Sequence, residues 1–279
     1  MKLIIDCGST KADWVIIDNK ETMMRFTTDG FNPNYTSKES ILNLILDNSL
    51  YKPYTKYITE VFFYGSGCGD IDNCNTIEAI LSSVFTSAEI IVTHDMMAAC
   101  RAIHSRKKGI ACILGTGSNS CLYDGKRILD RAISLGFILG DEGSGSHLGK
   151  KLLHDYFYKK MPDDLSKIFE CEYKLNINSF IKNVYHNEQP SKYLASFSKF
   201  LYDNRNHSFA KELCSKCFDE FIENYILRYD NNEHIEIGFV GSIAYYFQDI
   251  IRERLEIKGL KPGKILKDPI DGLIEYHSC

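Results

Sequence analysis

The sequence predicts an α/β protein of two similar lobes, and three observations carry that prediction. In the run Ile113-Leu114-Gly115-Thr116-Gly117-Ser118-Asn119-Ser120, an apolar strand beginning at Ile110 stops at a glycine-hydroxyl turn, and a second apolar run follows from Cys121-Leu122-Tyr123. The same design stands at the start of the chain, where Leu3-Ile4-Ile5-Asp6 runs through Cys7-Gly8-Ser9-Thr10-Lys11 into Ala12 to Asp18. The length of 279 residues suits two domains of roughly 100–200 residues each. Glycine in such a turn admits positive φ and lets a ligand lie close to the backbone. Consecutive amides turned inward form an anion nest that suits phosphate. Either turn alone is equally well read as an ordinary tight hairpin. Two copies point to two lobes facing one nucleotide.

The elements follow in order. Glu21 to Thr27 supplies a third antiparallel strand after the first hairpin, and Asp29-Gly30-Phe31-Asn32-Pro33-Asn34 is a turn-rich loop. Thr36-x-x-Glu39 reads as a capping box, with Ile41, Leu42, Ile45 and Leu46 on one helical face. Val61 to Tyr64 is a short strand, and Ile77, Ile80, Leu81 and Val84 have helical spacing. Ile90-Ile91-Val92 is a strand with Thr93-His94-Asp95 at its carboxyl end, and Met96 to His104 is a helix. The basic stretch Ser105-Arg106-Lys107-Lys108 marks the crossing between lobes. It sets the expected domains at 1–107 and 108–279, the second carrying a helical insertion.

In the second lobe Asp124-Gly125 is a turn signal. Gly136 to Ser146 is a glycine- and acid-rich loop leading into a helix that aligns Leu148, Leu152, Tyr156 and Phe157. Pro162 to about Asp230 reads as helical segments without a legible motif. Ile235 to Val240 is a strand ending at Gly241-Ser242, and Ile243 to Leu255 is one helix. The tail is a short strand, Lys264 to Leu266, and a helix after Pro269.

Composition excludes several classes. A hydrophobic fraction of 44% and a charged fraction of 25% are ordinary for a soluble globular chain. A formal charge of -4 lacks the basic footprint of a nucleic-acid binder. No run reaches the length of a membrane span, and a core strand starts at once, without room for a signal peptide. The ten cysteines are accordingly expected to stay reduced, in a cytoplasmic protein. Cys214-x-x-Cys217 is a lone pair in a helical pattern and is read as one face of a helix rather than a metal or redox site.

Asp6-Cys7-Gly8-Ser9-Thr10-Lys11, Gly30-Phe31-Asn32-Pro33, Thr93-His94-Asp95, Gly115-Thr116-Gly117-Ser118, Gly140-Asp141-Glu142-Gly143-Ser144 and Val240-Gly241-Ser242 span nearly the whole chain. In this order they resemble the N-acetylglucosamine kinase and BadF/BadG/BcrA/BcrD-type ATPase family, within the sugar kinase, Hsp70 and actin superfamily. The resemblance implies two ribonuclease-H-like (actin-like ATPase) lobes with a nucleotide cleft between them. It implies ATP, Mg2+ and phosphoryl transfer to the hydroxyl of an amino sugar, with N-acetylglucosamine or a close relative as acceptor. A homodimer is compatible with it. The alternative within the same fold is an ATPase that activates a radical dehydratase or reductase, with an iron–sulfur cluster held by cysteines of two subunits. A sugar or nucleotide sensor without turnover is a third reading.

The residue chemistry agrees with phosphoryl transfer, which needs positioning, charge neutralisation and a base. Gly8, Ser9 and Thr10 offer amides and hydroxyls to phosphate, and Lys11 offers charge, although an exposed turn lysine is the plainer reading. Gly115, Thr116, Gly117 and Ser118 are the phosphate contacts of the second lobe. Gly241 and Ser242 lie between a strand and a helix, where adenosine can rest; a helix N-cap at Ser242 is the alternative. Asp6 closes an apolar strand, where a lone carboxylate is costly, and is read as meeting magnesium through water. Asp95 is the candidate base, with a simple N-cap as its alternative. Asn32 or Asn34, with Asp141 and Glu142, are the sugar contacts the resemblance implies. His94 is read as a packing residue.

Overall fold

The computed structural model describes residues 1–9, 11–187, 189–230 and 232–278. The chain forms two compact units. Unit 1 comprises Met1–Arg106 with the tail from Asp268, and unit 2 comprises Lys107–Lys267.

Unit 1 opens with β1 (Lys2–Cys7), β2 (Lys11–Asp18) and β3 (Glu21–Asp29), followed by α1 (Lys38–Asp47), β4 (Glu60–Gly65), α2 (Ile71–Val84), β5 (Glu89–His94) and α3 (Asp95–His104). The sheet order is β3-β2-β1-β4-β5. β1, β2 and β3 are antiparallel, whereas β4 and β5 run parallel to β1. Strands buried on both faces need continuous apolar runs, and β1 and β2 supply them: Leu3, Ile4, Ile5, Trp14, Val15 and Ile16 are fully buried. Edge strand β3 buries only Phe26, which stacks on Trp14 at 5.6 Å, with Tyr51 on the same indole at 6.2 Å.

The capping of α1 differs from expectation by one residue. Ser37 is the N-cap, and its Oγ accepts from the Ser40 N–H at 3.2 Å. Thr36 is taken up by the preceding turn: its N–H donates to the Asn32 carbonyl (2.8 Å), and its Oγ1 accepts from the Asn32 N–H (3.4 Å). Ile41 and Ile45 are buried, but Leu46 is exposed, so the apolar face is narrower than the sequence suggests.

Unit 2 repeats the strand plan with β6 (Gly109–Leu114), β7 (Ser118–Tyr123), β8 (Ile128–Arg131), β9 (Glu236–Val240) and β10 (Lys261–Leu266). Read from β8 the order is β8-β7-β6-β9-β10, the plan of unit 1, and the parallel and antiparallel pairings match. Between β8 and β9 lie α4 (Gly136–Leu139), α5 (Gly145–Phe157), α6 (Asp163–Tyr173), α7 (Ile177–Tyr185), α8 (Pro190–Ser196), α9 (Ser198–Asp203) and α10 (Ser208–Phe221). A π-helical turn, Ile222–Ile226, follows α10.

The single helix expected over Ile243 to Leu255 is two, α11 (Ser242–Tyr246) and α12 (Gln248–Ile257). The break falls at Phe247, whose ring is buried 5.7 Å from Tyr202 and 5.8 Å from Phe218. Cys214 and Cys217 lie in the same core.

The last helix, α13 (Ile270–His277), belongs to unit 1. The second lobe expected to run to residue 279 therefore ends at Lys267. The reason is a polar anchor that local pattern does not reveal. Arg101 of α3 donates to the Tyr64 hydroxyl (2.7 Å), which lies 2.8 Å from His277 Nε2, while Lys2 Nζ donates to the His277 carbonyl (3.1 Å). The phenol accepts from Arg101 and shares a hydrogen bond with the His277 ring. Burial and the nearby Arg101 and Lys2 push His277 down to about 3. Among the described residues no helix is long and apolar enough to cross a membrane.

Candidate functional site

In unit 1 the three parallel strands β1, β4 and β5 end together, because Asp6, Tyr64 and Thr93 share one register. Ligands of parallel α/β sheets bind beyond the carboxyl ends of the strands, and the candidate residues collect there. Asp6 pairs across the ladder with Asp13 of β2. Burial, then the charges of Asp13, Asp95 and Asp268, push the Asp6 carboxyl up to about 7.

Asp95 is exposed at the first position of α3 and accepts from the Met96 N–H at 2.7 Å. The N-cap position belongs to His94, which makes no side-chain cap. Asp95 is thus not the helix N-cap, the alternative left open by the sequence.

The β1–β2 turn closes through the Gly8 N–H to the Lys11 carbonyl at 2.9 Å. Ser9 Oγ lies 3.2 Å from Ser66 Oγ and accepts from Asn32 Nδ2 at 3.4 Å. Asn32 Oδ1 accepts from the Asn34 N–H (3.0 Å), and Asn73 Nδ2 donates to Asn34 Oδ1 (2.8 Å) and to the Gly67 carbonyl (2.9 Å). Gly67 makes this polar strip possible: it sits at φ +84°, and a Cβ there would stand 2.3 Å from Asn32 Oδ1. Lys11 pairs with the buried Asp13 at 2.8 Å. Thr10 lies outside the described residues.

In unit 2 the corresponding turn is joined to its neighbours by backbone bonds. The Gly115 and Thr116 carbonyls accept from the N–H groups of Gly145 (2.8 Å) and Ser146 (3.1 Å), the first residues of α5. Gly241, at φ +127°, brings the end of β9 against this turn; a Cβ on it would stand 2.2 Å from the Leu114 carbonyl oxygen and 3.2 Å from the Gly115 nitrogen. Gly241 itself is the N-cap of the five-residue α11, and Ser242 is its first, exposed residue. The N-cap alternative for Ser242 is thereby corrected.

Asp141 is buried in a left-handed conformation at φ +58°, and its Oδ1 accepts from the Ser118 N–H at 3.3 Å. Burial raises its pKa against that hydrogen bond. Ser118 Oγ is buried and makes no well-formed hydrogen bond, although the Tyr225 phenol is close enough to feel it. Glu142 Oε1 accepts from Asn224 at 3.3 Å.

The structure thus gathers Gly8, Ser9, Asn32 and Asn34 into one strip of unit 1 and brings Asp6 and Asp95 into electrostatic contact. In unit 2 it gathers Gly115 to Ser118, Asp141 and Gly241. Sequence reasoning missed Asp13, Ser66, Asn73, Asp268, His147 and Tyr225. Asp13 had a signal, since Lys11 and Asp13 at i and i+2 share one strand face. Tyr225 sits in the helical region without a motif. His147 accepts from the Gly143 N–H on Nδ1 (3.1 Å) and faces Glu220 through Nε2 (3.3 Å). Burial, with Lys151 and Lys150 nearby, lowers it to about 4.

No family model and no curated protein matches the sequence. Solved structures do. A Porphyromonas gingivalis protein named "Putative N-acetylglucosamine Kinase" is 36% identical, with TM-score 0.95 over 100% of this chain and 99% of its own. A Chromobacterium violaceum protein of the same name is 13% identical, with TM-score 0.73 over 99% of this chain and 98% of its own. Component A of the (R)-2-hydroxyglutaryl-CoA dehydratase of Acidaminococcus fermentans is 10% identical, with TM-score 0.52 over 99% and 96%. The last two share the fold alone. Two mixed five-stranded units of one plan define the actin-like ATPase fold. Within that class, the chain belongs to the family of the Porphyromonas gingivalis protein, that of the N-acetylglucosamine kinase-like proteins.

Proposed function

We propose that this protein is an ATP-dependent kinase that phosphorylates a hydroxyl of an amino sugar, with N-acetylglucosamine as the first acceptor to test. The observation that carries the reading is the exposed Asp95 carboxylate at the carboxyl end of the parallel strands, beside Asp6 and on a unit whose neighbouring strip is lined by amides and hydroxyls. A sugar hydroxyl is a weak nucleophile until a base accepts its proton, and Asp95 supplies one without a long side chain to order. Its proposed role is catalytic. Unit 1 is proposed to supply Gly8, Ser9, Thr10 and Lys11 to phosphate, with Asn32 and Asn34 to sugar hydroxyls. Unit 2 is proposed to supply Gly115 to Ser118 to phosphate, Gly241 and Ser242 to the adenosine, and Asp141 and Glu142 to sugar hydroxyls.

A magnesium ion suits the donor chemistry of unit 1. The carboxylates of Asp6, Asp13, Asp95 and Asp268 are hard oxygen donors, and burial first, then the charges of the other three, raises Asp6. Magnesium usually keeps several of its waters and takes few direct carboxylate ligands. Asp6 would hold it through water, and the ion would neutralise phosphate charge. The activator reading is less well supported, because Cys214 and Cys217 are core thiols. Burial raises Cys214 well above its ordinary value and Cys217 to about 12, the reverse of what thiolate ligands need.

ADP formation with a panel of amino sugars, against a no-sugar control, tests the proposal. Sugar-dependent release is expected. Equal release without sugar refutes the kinase reading and favours an activator-type ATPase.

A further inference from the structure

We propose that Tyr225 is a positioning residue for the acceptor side of the site, its hydroxyl fixing the direction in which Asp141 presents its carboxylate. This rests on the reading of Asp141 as a sugar contact. Asp141 is a non-glycine residue at φ +58°, a conformation that persists only where its surroundings hold it. Its carbonyl accepts from the Ser144 N–H at 3.1 Å, and two further hydrogen bonds hold it. Its N–H donates to the Tyr225 hydroxyl at 3.2 Å, and its Oδ1 accepts from the Ser118 N–H at 3.3 Å. The second bond needs Gly117, because a Cβ there would lie 2.9 Å from Asp141 Oδ2.

The hydroxyl itself is held firmly. Tyr225 lies on the π-helical turn Ile222–Ile226, closed by the Leu227 N–H to the Ile222 carbonyl at 2.9 Å. Such a turn is a local departure from the α-helix that recurs at functional sites. Ser120 Oγ donates to the Tyr225 carbonyl at 2.6 Å, and Phe221 stacks on the ring at 4.9 Å with 14° between planes. An aromatic ring clamped by a stack and a backbone bond places its oxygen with little freedom.

Phenylalanine at 225 keeps the ring and the stack but leaves the Asp141 N–H buried without its acceptor, which carries a penalty. Tyr229 provides the control: it shares the Ser120 hydroxyl at 2.9 Å and is equally buried, but makes no bond to Asp141. Steady-state kinetics for both variants with the best amino sugar, and calorimetric sugar binding without nucleotide, test the assignment. Tyr225→Phe should raise the sugar KM and Kd by about tenfold with kcat within about threefold, because a ground-state contact is lost as much as a transition-state one. Tyr229→Phe should melt earlier but keep the wild-type sugar KM. Unchanged KM in Tyr225→Phe, or an equal rise in both variants, overturns the assignment. A wild-type protein without sugar-dependent ADP formation overturns the kinase reading, and this assignment with it.

Discussion

Replacement of Asp95 by asparagine separates chemistry from folding at the proposed base. Asparagine keeps the size and retains a carbonyl oxygen for the Met96 N–H, now accepted by Asp95 Oδ1 at 2.7 Å. A negative charge at the first turn of a helix contributes about 0.3–1 kcal/mol, and that contribution is lost. Against it, Asp95 is one of three carboxylates that push Asp6 upward, so its removal relieves repulsion. The net change in stability should stay within about 1 kcal/mol, a shift of a few degrees in Tm. Turnover should respond differently, since asparagine cannot take a proton. A positioned general base contributes roughly 10²–10⁴-fold, about 2.7–5.5 kcal/mol of barrier. The assay is kcat from coupled ADP detection at saturating amino sugar, with a melting curve in parallel. Near-normal turnover at normal stability would falsify the base assignment, whereas a folded variant with kcat reduced a hundredfold or more supports it.

Gly241→Ala should destabilise unit 2 by about 3 kcal/mol or more, because φ +127° is strained for alanine and its Cβ would stand 2.2 Å from the Leu114 carbonyl oxygen; urea unfolding measures it, and a loss under about 1 kcal/mol refutes the close approach. His147 at about 4 and His277 at about 3 bind protons more readily when unfolded, so the stability tied to their neutral forms is full above about pH 6.5 and declines as pH falls toward 4 and 3. Removing the titrating ring in His147→Gln should flatten that decline in Tm between pH 6.5 and 4; an unchanged slope refutes the assignment. Asp6→Asn should raise Tm at pH 8 by the equivalent of about 1–2 kcal/mol, because burial and then three neighbouring carboxylates disfavour the ionised form. That gain should shrink as pH falls through about 7, where the native carboxyl takes up a proton, and turnover should be lost at every pH.

The parts of the fold legible in the sequence were those written in periodicity and turn chemistry. Both hairpins announce themselves through apolar strands that meet at glycine, and β1 and β2 are apolar throughout because both faces are covered. What escaped was decided by contacts distant in sequence. Thr36 and Ser37 can both cap a helix, and in the structure Thr36 is held by Asn32 while Ser37 caps. The end of the second lobe fell at Lys267 because His277 is anchored to Tyr64. A helix whose spacing looks continuous is broken at Phe247, whose ring lies in the core.

The candidate site residues stand out in the sequence where chemistry interrupts a pattern, as Asp6 and Asp95 do at strand ends, and are hidden where they lie within one. Lys11 shows the difference. Read alone, it is a cation in a phosphate turn. In the structure it pairs with Asp13 at 2.8 Å, across the ladder from Asp6. Lys11 lowers Asp6 somewhat, but burial and the charges of Asp13, Asp95 and Asp268 outweigh it. The lysine side chain is about half exposed, at 53%, while Asp13 is at 7%, so the pair forms with its cationic end in solvent, where ion pairs are weak and easily exchanged. A phosphate brought to this turn can therefore draw Lys11 away from Asp13. That exchange would leave Asp13 buried, charged and facing Asp6, which is unfavourable unless another positive charge arrives with the phosphate. On the proposed role of Lys11 as a phosphate contact, a cation carried with the nucleotide would offset the charge left on Asp13.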